Sequence, residues 1–257
     1  MQDRYAGDVG DFGKFGLLRT LCELNAPQLK LGIVWYLVPD ESHNEDGKHT
    51  RYLNGSPQFR NCDPELYDGL RELLLDDCGK VVSDRQRVTT VEGSCIFRSG
   101  TTFFTDPLRY QNGTPAKERL HIRTEWLTRA LRATAEADVV FVDPDNGIEC
   151  QSVSRTAGTG PKYIFWDEIE AFTARGQTVV IYHHLNRVCS SSEQLRRLRQ
   201  QFNDRMPRNF TILDVVFKRG TRRAYFIAAS AKHRDALTHR LSHMLTTPWG
   251  SHFIRPV

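Results

Sequence analysis

The chain has 257 residues, with 35 Lys and Arg against 31 Asp and Glu, 39% hydrophobic and 10% aromatic side chains. Apolar content this high beside a net charge of only +4 excludes disorder over most of the chain. A membrane-spanning helix is excluded as well, because the longest apolar run, Leu31 to Val38, is far short of the ~20 residues a crossing needs.

The N-terminus, MQDRYAGDVGDFGKFG, carries acids and glycines and no apolar stretch, so no signal peptide is expected. Gly7, Gly10, Gly13 and Gly16 recur every third residue, and Phe15 to Leu24 has apolar residues at helical spacing. Leu31–Val38 (LGIVWYLV) reads as a buried strand, and a polar loop, Pro39–Arg60, follows it. Pro64–Cys78 reads as an amphipathic helix, and Arg87–Phe97 and Thr101–Thr105 as strands. Thr114 and Pro115 are a plausible N-cap and first helical residue of a long helix to about Ala137. Asp138–Val142 (DVVFV) is a second buried strand, ending in the turn Asp143-Pro144-Asp145-Asn146-Gly147. Beyond a Gly/Ser-rich loop (Ser152–Gly160), Tyr163–Ala174 is predicted helical and Gln177–Tyr182 a third buried strand. Ser191–Met206 is a helix, Thr211–Phe217 and Arg223–Ala229 form a hairpin, and Ala231–Leu245 is the last helix, before a tail with Trp249 and Phe253.

Strands alternating with helices predict a single α/β domain over residues 1–257. Its sheet would be Rossmann-like, doubly wound and mostly parallel, closing in an antiparallel hairpin. A glycine-rich segment (1–25) and a polar insertion (39–63) would decorate it. Ligands of open α/β sheets lie at the carboxyl ends of the strands, which here means the loops from Pro39, Asp106, Asp143 and His183 onward.

Three features bear on chemistry. Between Arg187 and Arg240 there are thirteen Lys and Arg against four Asp and Glu. Lys218, Arg219, Arg222 and Arg223 crowd one tight turn of that stretch, which suits phosphates of a nucleic-acid partner. The buried strand DVVFV ejects Asp143 and Asp145, with Glu149 close behind, and like charges this near need a compensating cation or donor. His183 and His184 end the next strand, where either could act as base or ligand, although neighbours on a strand point to opposite faces. In the polar loop, His43, Asp46, Lys48 and His49 could shape a pocket or be solvated. The six scattered cysteines, with no C-x-x-C pair, read as free thiols of a cytoplasmic protein.

AGDVGDFGK resembles the A-G-N-x-A-D-V-L-K stretch opening the J-type 23S ribosomal RNA adenine-N6 methyltransferases, with Ala6, Gly7, Asp11 and Lys14 matching and Asp8 in place of Asn. Asp143-Pro144-Asp145-Asn146 stands where such enzymes have D-P-P-Y. The closing hairpin fits the same class. The resemblance implies an S-adenosylmethionine-dependent methyltransferase acting on nucleic acid. Asp143, Pro144, Asp145 and Asn146, with His183, would form the catalytic group. Gly7, Asp8, Asp11, Lys14 and Glu41 would hold the cofactor. Two departures stand out. No D/E-x-G-x-G follows the first strand, where the chain reads YLVPDESHNEDGKH, and the aromatic that would stack on a flipped base is replaced.

Two other classes remain open on the same residues. Asp143, Asp145 and Glu149, with Glu41 after the first strand, could bind Mg²⁺ or Mn²⁺ in a metal-dependent nuclease or phosphoesterase, and DPDNGIE loosely resembles the D-x-D of toprim nucleases. A non-catalytic scaffold that binds nucleotide or a protein is the third.

Overall fold

The computed structural model describes residues 1–41, 49–186 and 188–256. Helices α1 (Val9–Cys22), α2 (Pro57–Arg60), α3 (Pro64–Leu74), α4 (Val88–Glu92), α5 (Ala116–Ala133), α6 (Trp166–Thr173), α7 (Ser191–Arg205) and α8 (Arg234–Met244) are interleaved with nine strands. The strands are β1 (Leu31–Val34), β2 (Thr102–Phe104), β3 (Val139–Val142), β4 (Gly147–Ile148), β5 (Tyr163–Ile164), β6 (Thr178–His184), β7 (Phe210–Phe217), β8 (Arg223–Ser230) and β9 (Phe253–Ile254). Seven of them form one sheet in the order β2-β1-β3-β6-β8-β7-β9, while β4 and β5 pair separately. β2, β1, β3 and β6 run parallel, and β8, β7 and β9 continue the sheet antiparallel. The fold is α/β, with a mixed sheet that is parallel at its centre and antiparallel at one edge.

Period-two burial explains why the central strands are apolar throughout. Ile33, Phe141 and Val180 join the core that includes α1, α3 and α8. Their neighbours Val34, Val142 and Ile181 join the core that includes α5, α6 and α7. A parallel strand covered on both faces has no polar side to show. Among the described residues no helix is long and apolar enough to cross a membrane.

The α1 helix is buried along its whole length. Its glycine period is a packing device. A Cβ on Gly10 would lie 2.5 Å from the Arg223 guanidinium, on Gly13 2.6 Å from the Phe217 ring and on Gly16 2.1 Å from Trp249. The β7–β8 hairpin and the C-terminal tail therefore sit directly on the helix backbone.

Several predicted boundaries move. Arg87–Phe97 is not a strand: Val88 and Val91, three apart and both buried, sit on α4. The stretch from Tyr163 opens as β5, pairing with β4, and its helix begins only at Trp166. Pro115, not Thr114, is the N-cap of the long helix, which ends at Ala133. β1 stops at Val34, because Tyr36 adopts φ 47° and turns the chain out of extended geometry.

Candidate functional site

The carboxyl ends of β1, β3 and β6 and the amino end of α1 enclose a cavity of about 270 Å³. Asp8 is the N-cap of α1, its Oδ1 accepting from the amides of Gly10 (2.7 Å) and Asp11 (2.9 Å). The helix's exposed donors and positive end are thus already met by a carboxylate of the chain. Oδ2 of Asp8 faces Arg223 at 3.4 Å.

One turn into α1, Lys14 Nζ donates to Asp11 (2.5 Å) and to Asp143 (2.6 Å), and all three side chains are 3–4% exposed. The i,i+3 spacing puts Asp11 and Lys14 on one helix face. The β3 terminus brings Asp143 to them. Burial works against the Lys14 charge, but the carboxylates of Asp11 and Asp143 outweigh it and raise its pKa. Burial pushes Asp11 up to about 6, with Lys14 pulling the other way.

A second cluster lies beside the first. Asp145 Oδ2 accepts from Gln2 Nε2 (2.8 Å) and lies 3.4 Å from Lys162 Nζ, which also pairs with Glu41. Burial opposes the Asp145 charge, yet the Met1 ammonium 3.9 Å away, with Gln2 and Lys162, holds its pKa below the usual carboxylate value. The Lys162 hydrogen bond likewise depresses Glu41. Met1 and Gln2 thread between the two clusters. The Met1 nitrogen donates to the carbonyls of Tyr36 (3.1 Å) and Asp143 (3.0 Å), and Val38 N–H donates to Met1 O (2.9 Å).

The fold thus gathers Asp8, Asp11, Lys14, Glu41 and Asp143 to Asn146 around one cavity, together with Gly10. Gly7 is not among the lining residues: it holds φ +77°, and its amide donates to Asp11 Oδ2 at 3.0 Å. His183 and Glu149 do not line the cavity either. Strand alternation turns Tyr182 and His184 to the cavity and His183 away, where its Nδ1 accepts from Ile148 N–H (3.1 Å). Burial, with a smaller contribution from His184, lowers the His183 pKa to about 4, so this ring is a neutral acceptor locking β4. Glu149 accepts from Trp166 N–H (2.9 Å) at the start of α6.

The basic turn, 218–222, divides. Lys218 and Arg222 are exposed, and Thr221, between them in sequence, lines the cavity. Arg219 is half-buried and donates to His252 Nδ1 (2.9 Å). Arg223 departs from the predicted phosphate-binding tip: it is buried and aimed inward at Asp8, with the Arg219 and Thr221 carbonyls as its other acceptors. His49 lines the cavity, whereas His43, Asp46 and Lys48 lie outside the described residues. Sequence reasoning missed Gln2, Lys162 and Tyr182. Only Tyr182 left a signal, as the residue two before His184 on the same strand face.

The carboxylates are poorly placed for a divalent cation. Asp143 is taken by Lys14, Asp145 by Gln2 and Lys162, and Glu149 by the α6 backbone. Among the described residues no group of three or more His, Cys, Asp or Glu is placed to hold a metal ion. Mg²⁺ or Mn²⁺ does not fit this donor set.

No known family model matches the chain, and no curated protein matches it either.

Proposed function

We propose that the chain is an S-adenosylmethionine-dependent methyltransferase acting on an exocyclic amine of nucleic acid. One observation carries the reading: Asp143-Pro144-Asp145-Asn146 opens into a cavity at the carboxyl end of a central parallel strand, in a sheet where β8 inserts antiparallel between β6 and β7. An antiparallel hairpin closing an otherwise parallel sheet supports that reading, and ligands of open α/β sheets bind at this end. S-adenosylmethionine would supply the methyl group. The carbonyls of Tyr36 and Asp143, which now accept from the Met1 nitrogen, suit its amino group. Met1 lines the same cavity and stands beside these groups.

In this reading Asp143 and the Pro144 carbonyl accept hydrogen bonds from the target amine, and Asn146 borders the acceptor. Lys14 fixes the Asp143 carboxylate. Lys218 and Arg222 engage phosphates. The cofactor would supply an electrophilic methyl group, and the proton released from the methylated nitrogen would pass to solvent water. The chain contributes chiefly positioning and fixed charge.

Calorimetric titration of the chain with S-adenosylmethionine, followed by labelled methyl transfer to bulk RNA and DNA, tests the proposal. Micromolar binding and transfer that vanish in Asp143→Ala are expected. A folded protein that neither binds the cofactor nor transfers methyl groups refutes the reading and leaves the scaffold class standing.

A further inference from the structure

The strand order reverses between β1 and β3: the chain moves outward from β1 to β2, then returns to the other side of β1 as β3. The crevice outside the carboxyl ends at such a reversal is the place where open α/β sheets take their ligands. Here the chain's own Met1–Gln2 segment lies in that crevice. The Met1 nitrogen bonds to the carbonyl of Tyr36, two residues past β1, on one side and to that of Asp143, just past β3, on the other. Its sulfur lies 3.8 Å from Lys14 Nζ. Gln2 is fully buried, donating to Glu41 (3.3 Å) and Asp145 (2.8 Å) and accepting from the Glu41 amide (2.9 Å).

The contacts are those of a ligand in a site. The segment holds its place through hydrogen bonds to the stretches after β1 and after β3, both far away in sequence, and Met1 lines the cavity. Asp3, Arg4 and Tyr5, which follow, are only half-buried.

We infer that the crevice between β1 and β3 is a ligand subsite for a primary amine on a thioether or sulfonium chain, which Met1 and Gln2 fill in the free protein and the ligand must displace. The part of this that names S-adenosylmethionine as the displacing ligand rests on the proposed function. The occupied subsite itself does not. Filling the site lowers apparent affinity by the fraction of molecules in which the segment is out.

The test uses the full chain tagged only at its C-terminus, with two probes. L-Methioninamide mimics the amine and thioether of Met1, and S-adenosylmethionine is the proposed cofactor. Gln2→Ala removes the side-chain bonds to Glu41 and Asp145. Gln2→Glu sets a third carboxylate against them and serves as the second variant. Both should bind methioninamide at least tenfold tighter than the native chain in an NMR titration, and the gain should vanish when Asp145→Asn is added. Amide exchange at Val38, whose N–H donates to Met1 O, should quicken in both variants without any ligand. If S-adenosylmethionine binds, it should quicken Val38 exchange in the native chain and bind several-fold tighter to the variants. Equal methioninamide binding by all forms, or none by any, overturns the inference. Methioninamide binding gained by the variants with S-adenosylmethionine bound by no form upholds the filled subsite and refutes the methyltransferase reading. S-adenosylmethionine bound equally by all forms, with Val38 exchange unchanged, does the reverse.

Discussion

Replacing Lys14 by Met tests the electrostatic reading of the cavity. Its ammonium stands 2.5 Å from Asp11 and 2.6 Å from Asp143, with every partner all but excluded from solvent. Removing one member of a buried ion pair typically costs about 3–5 kcal/mol, because the remaining charge is left uncompensated. Here two carboxylates lose the same cation, which puts Lys14→Met at the upper end, about 5 kcal/mol, comparable with the whole stability of a marginal domain. Adding Asp11→Asn relieves one of the two charges, and the amide oxygen can still accept from Gly7 N–H. The double variant should recover about 2 kcal/mol. The sign with pH follows from the same cause. Without the lysine, nothing offsets the burial that already raises the folded-state Asp11 pKa above its unfolded value. Such groups favour the fold at low pH and lose that contribution as pH rises through the folded pKa. The Lys14→Met penalty in urea unfolding should therefore be smaller at pH 5 than at pH 8, by about 1.4 kcal/mol for each unit of raised pKa that falls in this window. A penalty below about 1 kcal/mol, or one flat between pH 5 and 8, would refute the claim that Lys14 neutralises the pair.

Three further outcomes are expected. His183 has a folded pKa near 4 against an ordinary 6.5, so its contribution is intact above pH 6.5 and is lost as pH falls toward 4. It should account for about 2 kcal/mol of lost stability at pH 5, a loss absent from His183→Asn when the two unfolding curves are compared at pH 7.5 and 5. Gly10→Ala, which drives a Cβ to within 2.5 Å of the Arg223 guanidinium, should cost about 1–3 kcal/mol in chemical denaturation; a change under 0.5 kcal/mol would mean the guanidinium moves freely. Lys218→Glu with Arg222→Glu should leave stability within about 0.5 kcal/mol, since both residues are exposed, yet lower the salt slope of RNA or DNA binding by roughly 2. An unchanged slope would remove these cations from any phosphate contact.

Local pattern made the central strands legible. LGIV, VVFV and TVVIYHH announce a parallel sheet buried on both faces because a strand covered on both sides is a continuous apolar run, and that run is visible in each segment by itself. The β7–β8 hairpin and helices α3, α5, α7 and α8 were legible from their own local patterns, though their ends shifted where caps and packing set the boundary. Arg87–Phe97 misled because β-branched residues alone do not distinguish a short buried helix from a strand. The site was legible only in part. Asp143 and Asp145 stood out as acids at the end of an apolar run, and His183 and His184 as a pair of which one would face inward. Which one does so depends on the side of the sheet that β8 and α1 cover. That Lys14 neutralises Asp143, that Arg223 turns away from its basic neighbours to meet Asp8, and that Met1 and Gln2 fill the crevice were decided by tertiary structure alone. Lys14 and Asp143 are 129 residues apart, Asp8 and Arg223 215. No local period encodes such pairs: the order of strands in the sheet sets them, because it fixes which chain ends meet, and burial then requires each charge that arrives there to find its partner.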